Sequence, residues 1–293
     1  MHLKTLLAGL SLRSATADME TEITRISYDS RTTRPGDLFV AMTGFATDGH
    51  AYIGKAVAAG AAAVVCERPP EDSSVPYVLV ENSRRALAVM AANYYGHPAD
   101  SMTMVAVTGT NGKTTTTYLL KAILEQELGA KVGLIGTNQD LIGDEVVPTE
   151  RTTPESLELQ ELFARMRSAG CTHVVMEASS HALALDRVYG IHYAVGIFTN
   201  LTQDHLDFHK TMEAYCDAKA ILFQNCDVGV CNADDPWTAR LLKNASCQPY
   251  FYAEKAPADL RAEDIRLEAD HVAFTAVTRE KKVPIRVNIP GGF

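Results

Sequence analysis

The sequence has no excess of positive charge and no long apolar run. It carries 27 basic and 36 acidic residues, a formal net charge of −9 with histidine neutral. We therefore expect no general attraction to nucleic acid or to an anionic membrane, and a bound anion must be held by a local site. No stretch approaches the roughly 18 apolar residues that a membrane-spanning helix requires, so we expect a cytosolic protein.

Disulfide and metal-binding cysteine patterns are also missing. The six cysteines include no CxxC pair, and a chain of 293 residues is long enough to fold without disulfides. We predict reduced thiols. Hydrophobic residues make up 46% of the chain and charged residues 22%, which excludes general disorder, and the length favours two domains.

The first hundred residues have the pattern of a small α/β domain. The predicted elements are a helix at 51–60, strands at 61–67 and 75–81, and a helix at 84–95. The segment GHPAD at 96–100 then concentrates residues that are typical of linkers. We predict a domain boundary there, which gives domains 1–98 and 99–293.

After the linker, strands and helices alternate, which predicts an α/β fold with a mainly parallel sheet flanked by helices. The predicted strands are 102–108, 131–137, 172–178, 194–201 and 228–232, and the predicted helices are 113–128, 154–169, 212–224 and one after Pro236. The last segments, HVAFTAV and VPIRVNI, have the two-residue alternation of half-exposed antiparallel strands, a β-rich extension. The chain stops at NIPGGF, in what reads as a turn, so we expect a fragment of a longer protein.

The strongest functional motif is VAVTGTNGKTTTT, in which a buried-type strand leads through a glycine-containing loop into a helix. Such a loop directs backbone N–H groups at phosphate, while Lys113 reaches the terminal phosphates and the Thr114 hydroxyl is available to Mg²⁺. The strict GxxxxGK[ST] pattern would require a glycine at Val107. The motif predicts a nucleoside triphosphate with Mg²⁺; a glycine-rich turn with an incidental lysine is the alternative.

Two further polar loops follow predicted strands, and parallel strands end at one edge of a sheet. MEASSH places Glu177 at a strand end, and DHLDFH carries Asp207 and the histidines His205 and His209. Carboxylate and imidazole near a triphosphate suit Mg²⁺ or Mn²⁺. We favour a functional role for Glu177 and His205, and we expect Asp207 and His209 to lie on a solvated loop.

One lysine occupies an unexpected place. Lys219 falls in the middle of the apolar stripe of the helix that begins at Met212. Such a lysine can extend to the edge of the apolar surface. If it is buried, its pKa falls, and the neutral amine can be modified or take part in chemistry.

The ordered set DSRTTRPGDLFVA, TGTNGKTTTT, ERTTPE, MEASSHAL, DHLDFH and the Lys219 helix resembles the ATP-dependent Mur ligases of bacterial peptidoglycan synthesis. The resemblance spans essentially the whole chain but only the first two of that family's three domains. It implies a monomer that uses ATP and Mg²⁺ to add a diamino acid to the D-Glu of UDP-MurNAc-L-Ala-D-Glu through an acyl phosphate. The motifs lean towards meso-diaminopimelate over L-lysine.

The resemblance also implies roles for particular residues. The uridine nucleotide is expected at Tyr28, Ser30, Phe45, Ala46 and Thr47, and the muramoyl-peptide at Thr152, Thr153, Ser179 and Arg187. ATP is expected at Gly109, Thr110, Asn111, Gly112, Lys113, Thr114 and Thr115. One Mg²⁺ is expected at Thr114 and Glu177, and a second at His205 and a carbamylated Lys219. Lys113, Glu177, His205 and Lys219 are the predicted catalytic residues.

Two positions qualify these assignments. Leu185 stands where some members have a substrate-contacting glutamine. Thr153 and Pro154 also fit the N-cap and the first residue of the following helix.

Three alternatives to a diamino-acid ligase are considered. They are the sister ligase that adds D-Ala-D-Ala, folylpolyglutamate synthase, which lacks DSRTTRPGDLFVA, and a nucleotide-binding module without ligase activity.

Overall fold

The computed structural model describes residues 1–44 and 47–289, which form two compact units. The first unit contains Met1–Ser101 together with two later segments, Pro154–Ala169 and Leu185–Ile191. The second contains the remaining described residues. The six cysteines are free thiols, as predicted.

Each predicted helix has a counterpart in the described residues, which also contain short helices at 180–184 and 206–209 that were not predicted. The helices are α1 Leu3–Leu6, α2 Ile53–Ala58, α3 Ser83–Tyr95, α4 Lys113–Leu128, α5 Ser156–Ser168, α6 Ser180–Ala184, α7 Leu206–His209, α8 Met212–Ala220 and α9 Thr238–Leu241. Short 3₁₀ turns precede α2 at Gly49–Tyr52 and follow α8 at Ile221–Gln224. None of these helices combines the length and the apolar character needed to cross a membrane.

The sheet of the first unit is built from five short strands. They are β1 Leu12–Ala15, β2 Arg25–Ser27, β3 Asp37–Val40, β4 Ala63–Cys66 and β5 Tyr77–Val80, in the order β1-β5-β4-β3-β2. Only the β1–β5 pair is antiparallel. β1 and β2 were not predicted, because LRSA and RIS lack the run of β-branched apolar residues that marks β4 and β5.

The later helix α5 belongs to this first unit and packs against α3. α3 begins after Asn82, whose side chain accepts two backbone N–H bonds, and Arg167 of α5 donates to the carbonyl of Gly96 at 2.9 Å. The N-cap of α5 is Glu155, so the assignment of Thr153 and Pro154 to its start is wrong. The hydroxyl of Thr153 is occupied elsewhere, as described below.

The sheet of the second unit has the predicted parallel core. Its strands are β6 Thr103–Thr108, β7 Val132–Ile135, β8 Asp140–Ile142, β9 Glu145–Val147, β10 His173–Glu177, β11 Tyr193–Phe198, β12 Cys226–Asn232, β13 Gln248–Ala253, β14 Leu260–Leu267, β15 Val272–Val277 and β16 Lys282–Val287. The order is β16-β15-β14-β13-β12-β11-β6-β10-β7-β8-β9. From β14 to β7 in this order, every pair of neighbouring strands is parallel. At one end β15 and β16 add the predicted antiparallel extension, and at the other end β8 and β9 pair antiparallel.

The core of this unit fixes the position of α4. Val105, Val132 and Val175, from the three adjacent strands β6, β7 and β10, form a buried cluster, and Leu120 and Leu124 of α4 pack on it. The carboxyl ends of these strands and the N-terminus of α4 consequently lie at the same edge of the sheet. The hairpin of β8 and β9, which extends this sheet, was not predicted.

Candidate active site

The loop between β6 and α4 is held by the residues that follow β11. The backbone N–H of Thr110 donates to the carbonyl oxygen of Asn200 at 2.8 Å, and the Thr199 hydroxyl donates to the carbonyl of Asn111 at 2.7 Å. Gly109 has φ +151°, and a Cβ atom there would overlap Oγ1 of Thr199. A glycine is therefore required at position 109. The 16-residue helix α4 begins directly after the loop, so its N-terminus lies beside it.

Two lysines converge on one carbonyl oxygen of this loop. Lys113 Nζ donates to the Gly109 carbonyl at 3.0 Å and to that of Thr110 at 2.8 Å, and Lys219 Nζ donates to the Gly109 carbonyl at 2.8 Å. Burial lowers the pKa of Lys113, opposed by the charges of Glu177 and Asp204. The amino groups of both lysines are thus held against the backbone of the loop.

Lys219 faces the core, as its place on the apolar stripe predicts. Its side chain is 1% exposed, and its ammonium lies 4.6 Å from the ring centroid of Tyr215. Burial, and then repulsion from Lys113, lower the pKa of Lys219 to about 7. A lysine with so low a pKa supplies neutral amine near neutral pH, which is the form that reacts with carbon dioxide.

Glu177 ends β10 with a buried carboxylate that is surrounded by donors. Oε1 accepts from the Thr114 hydroxyl at 2.9 Å and from the backbone N–H of Thr137 at 2.9 Å, and Oε2 accepts from the Thr137 hydroxyl at 3.1 Å. Glu177 is 1% exposed. A Cβ atom on Gly136 would lie 2.6 Å from Oε1, so the close approach requires glycine there.

The segment before α5 brings two further candidate residues to this site. The Thr153 hydroxyl donates to the carbonyl of Glu177 at 2.8 Å and accepts the backbone N–H of Ser179 at 3.1 Å. The hydroxyls of Thr152 and Thr137 lie 3.0 Å apart. The structure therefore groups Thr152, Thr153 and Ser179 around Glu177, in the second unit.

The histidines of the DHLDFH loop have different environments. His205 is exposed, with φ +52° and its ring nitrogen Nε2 3.5 Å from Asp204. His209 is buried, so our expectation of a solvated position is wrong: its Nε2 lies 2.9 Å from the Ser180 hydroxyl and its ring packs against Tyr215. Asp207 is exposed, as expected.

Burial is the main reason that the pKa of His209 falls to about 4, and the charges of His181, Lys219 and His205 lower it further. Lys219 Nζ lies 4.6 Å from the ring centroid of Tyr215, and the ring centroid of His205 lies 6.1 Å from it. Within residues 1–44 and 47–289, no cluster of three or more His, Cys, Asp or Glu side chains could hold a metal ion.

The remaining candidate residues lie in the first unit. The Tyr28 hydroxyl donates to Glu158 at 2.6 Å, Ser30 is buried, and Thr47 is exposed. Nε of Arg187 lies 3.3 Å from the buried carboxylate of Glu155. Phe45 and Ala46, also predicted at the uridine nucleotide, lie outside the described residues.

Sequence reasoning missed Thr137 and Asp140. Thr137 follows β7, and a polar residue after Gly136 at a strand end was the available signal. Asp140 Oδ1 accepts the backbone N–H of Gly136 at 3.2 Å, and burial raises the pKa of Asp140 to about 6. No pattern in the sequence marks this buried carboxyl.

Comparisons with known proteins identify the family of the chain. Residues 107–293 match the model of the Mur ligase middle domain, and residues 22–95 match that of the Mur ligase family, catalytic domain. The chain belongs to the Mur ligase family.

Among curated relatives, the chain is 46% identical over 297 residues to UDP-N-acetylmuramoyl-L-alanyl-D-glutamate--2,6-diaminopimelate ligase of Clostridium tetani. All of this chain and 61% of that protein are covered, so the chain spans about three-fifths of the relative's length. A solved structure with the same protein name superposes with a TM-score of 0.80 at 25% identity, over 97% of this chain and 59% of that one.

The fold is shared more widely. The UDP-N-acetylmuramoylalanyl-D-glutamyl-2,6-diaminopimelate--D-alanyl-D-alanyl ligase of Acinetobacter baumannii superposes with a TM-score of 0.63 at 23% identity, over 99% of this chain and 61% of that one.

Proposed function

We propose that this chain is the nucleotide-binding part of an ATP-dependent amide ligase that joins 2,6-diaminopimelate to the D-Glu of UDP-MurNAc-L-Ala-D-Glu. The main support is the grouping of Lys113, Thr114 and Glu177 at one sheet edge, in a chain 46% identical to a ligase of that name. Residues 1–98 bind the UDP-MurNAc portion, and residues 99–293 bind ATP. ATP and UDP-MurNAc-L-Ala-D-Glu are cytosolic compounds, so we place the protein in the cytosol.

The donor set beside the phosphate loop fits Mg²⁺. Glu177 and Thr114 offer a carboxylate and a hydroxyl oxygen 2.9 Å apart, and oxygen ligands are those that Mg²⁺ prefers. We therefore assign the first Mg²⁺ to Thr114 and Glu177. Bound there, the ion would supply positive charge to the phosphate oxygens.

The chemical task is to bring two anions together. The D-Glu side-chain carboxylate attacks the γ-phosphorus of ATP, forming an acyl phosphate and releasing ADP. A neutral amine of the diamino acid then attacks the acyl carbon, loses a proton and releases phosphate, which leaves the amide. Lys113 serves the first step by placing a cation between the two anions. The N–H groups of Thr110 and Asn111 are bonded to Asn200, so the segment from Gly109 to Thr115 holds the phosphates by the N–H groups at the N-terminus of α4.

Lys219 has a distinct role in this proposal. Its neutral amine attacks carbon dioxide and loses a proton, which gives a carbamate. That carbamate and the imidazole of His205 would hold a second Mg²⁺. The position of both residues beside the ring of Tyr215, together with the burial and low pKa of Lys219, supports the assignment. A ¹³C carbamate resonance after exposure to labelled bicarbonate, absent in Lys219→Arg, is the direct test.

The remaining assignments concern the UDP-linked substrate. Tyr28, Ser30 and the segment 45–47 contact the uridine nucleotide. The muramoyl-peptide is contacted by Thr152, Thr153, Ser179 and Arg187, and the grouping of the first three around Glu177 supports their assignment.

Binding measurements on the chain itself test the proposal. We expect UDP-MurNAc-L-Ala-D-Glu to bind in titration calorimetry without ATP, and UDP-N-acetylglucosamine, which lacks the peptide, to bind more weakly. Mg-ATP should raise the unfolding temperature. The proposal would be refuted if the chain did not bind UDP-MurNAc-L-Ala-D-Glu, or if it did not bind Mg-ATP.

A ligation assay separates the candidate reactions. The chain is joined to the part of the Clostridium tetani relative that it does not match, and ADP release is measured with each acceptor. We expect turnover with UDP-MurNAc-L-Ala-D-Glu and diaminopimelate, and much less with L-lysine. Turnover with D-Ala-D-Ala and the UDP-linked tripeptide instead would identify the sister reaction.

A further inference from the structure

The Thr137 side chain bridges two parts of the candidate site. Its hydroxyl lies 3.1 Å from Glu177 Oε2 and 3.0 Å from the hydroxyl of Thr152. Its backbone N–H binds the other carboxylate oxygen at 2.9 Å. One residue thus contacts both oxygens of the proposed Mg²⁺ ligand and also a proposed substrate-binding side chain.

The hydrogen bonds of this bridge have a fixed direction. A hydroxyl has one hydrogen to donate, and a carboxylate can only accept. Thr137 gives its hydrogen to Glu177, so in the pair of hydroxyls Thr152 must be the donor and Thr137 the acceptor. The hydrogen of Thr152 therefore points inward, and the side that Thr152 presents to a ligand carries only lone pairs.

The turn that carries Thr137 is itself restrained. Gly136 N–H donates to the buried side chain of Asp140, and the absence of a side chain at Gly136 lets Glu177 approach. The backbone donor and the hydroxyl of Thr137 are thus held at fixed positions against the carboxylate. Hydrogen bonds from neighbouring residues to a metal-binding carboxylate typically orient the carboxylate and raise its affinity for the ion.

We propose that Thr137 is a positioning residue that holds the Glu177 carboxylate for Mg²⁺ and turns the Thr152 hydroxyl into a hydrogen-bond acceptor for an amide N–H of the peptide substrate. The inference rests on the proposed function, which supplies the substrate. In the L-Ala-D-Glu portion of that substrate, the amide N–H groups are the only hydrogen-bond donors. Thr152 is half-buried, so its outward side is open to such a ligand.

The first test measures ATP binding to the chain as a function of Mg²⁺ concentration. Thr137→Val removes the hydroxyl at constant shape, and Thr137→Ser keeps it. We expect the Val variant to need about tenfold more Mg²⁺ than the original chain for half-maximal tightening of ATP binding, because such a loss is usual when a contact to a metal ligand is removed. The Ser variant should need about the same Mg²⁺ concentration as the original chain. ATP binding without Mg²⁺ should not change.

Because Thr137 lies at the surface, the substitution should leave the core intact, and far-ultraviolet circular dichroism checks this. If the Val variant is unfolded, Thr137→Ala removes the same hydroxyl. An unchanged Mg²⁺ requirement, or an equal loss in the Ser variant, overturns the role of Thr137. An original chain without Mg²⁺-dependent ATP binding refutes the proposed function as well.

The second test examines the direction of the bridge without altering Thr137. Two substrate analogues each replace one amide N–H of the peptide by an ester oxygen. We expect the original chain to bind one of them about fivefold more weakly than the amide, the scale of one hydrogen bond, and Thr152→Val to bind both alike. Equal binding of all three ligands by the original chain overturns the acceptor role of Thr152.

Discussion

Replacing Lys219 by methionine is expected to change the pH dependence of folding stability. The side chain is 1% exposed and has a pKa of about 7, whereas an unfolded chain gives lysine a pKa of about 10.4. Between these two values the unfolded chain binds the proton more strongly than the folded chain. Stability therefore rises with pH over this window, and the cost of burying the cation is fully present below pH 7.

The size of the effect follows from the two pKa values. From pH 7 to pH 9, we expect the free energy of unfolding of the original chain to rise by about 2 kcal/mol relative to Lys219→Met. The methionine variant has a similar volume and no ionisable group, so the contributions of residues that do not interact with Lys219 cancel in the difference. At pH 7 the variant should be the more stable protein.

Fluorescence of Trp237 provides the measurement, because it is the only tryptophan and lies in the second unit with Lys219. Urea unfolding is followed at pH 7, 8 and 9 in buffers free of carbon dioxide. A stability difference between the two proteins that does not vary with pH would show that Lys219 is not a desolvated cation. Added bicarbonate should stabilise only the original chain, because carbamate requires the amine of the folded state.

Three further predictions concern the binding sites. Lys113→Ala should abolish the rise in unfolding temperature with Mg-ATP, whereas alanine at the exposed Lys243 should not, and an unchanged shift in the first variant would contradict the phosphate-loop assignment. Ser30→Ala should weaken the binding of UDP-MurNAc-L-Ala-D-Glu by about 1 kcal/mol in calorimetry; equal affinity would remove Ser30 from the site. Gly136→Ala should displace Glu177 and raise the Mg²⁺ requirement for ATP binding, and a normal requirement would show that the carboxylate position is unimportant.

Local signals in the sequence determined the phosphate-loop region. The predicted bounds of α4, Lys113 to Leu128, match the structure, because glycines mark both of its ends and a continuous apolar strand precedes it. The parallel core and the antiparallel β15–β16 extension were also predicted, since continuous and alternating apolar patterns report how many faces of a strand are buried. The helical spacing of the apolar residues around Lys219 likewise predicted that this lysine faces the core.

Tertiary structure alone decided three other features. The helix α5 joins the first unit although it follows the phosphate loop, and its own pattern shows only that one face is apolar. His209 is buried by Tyr215 and by Ser180, which lies 29 positions earlier in the chain. Thr137 reaches Glu177 across 40 positions. Periodicity reports which face of an element is buried, whereas these contacts depend on which elements meet, and that is set by packing between segments distant in the sequence.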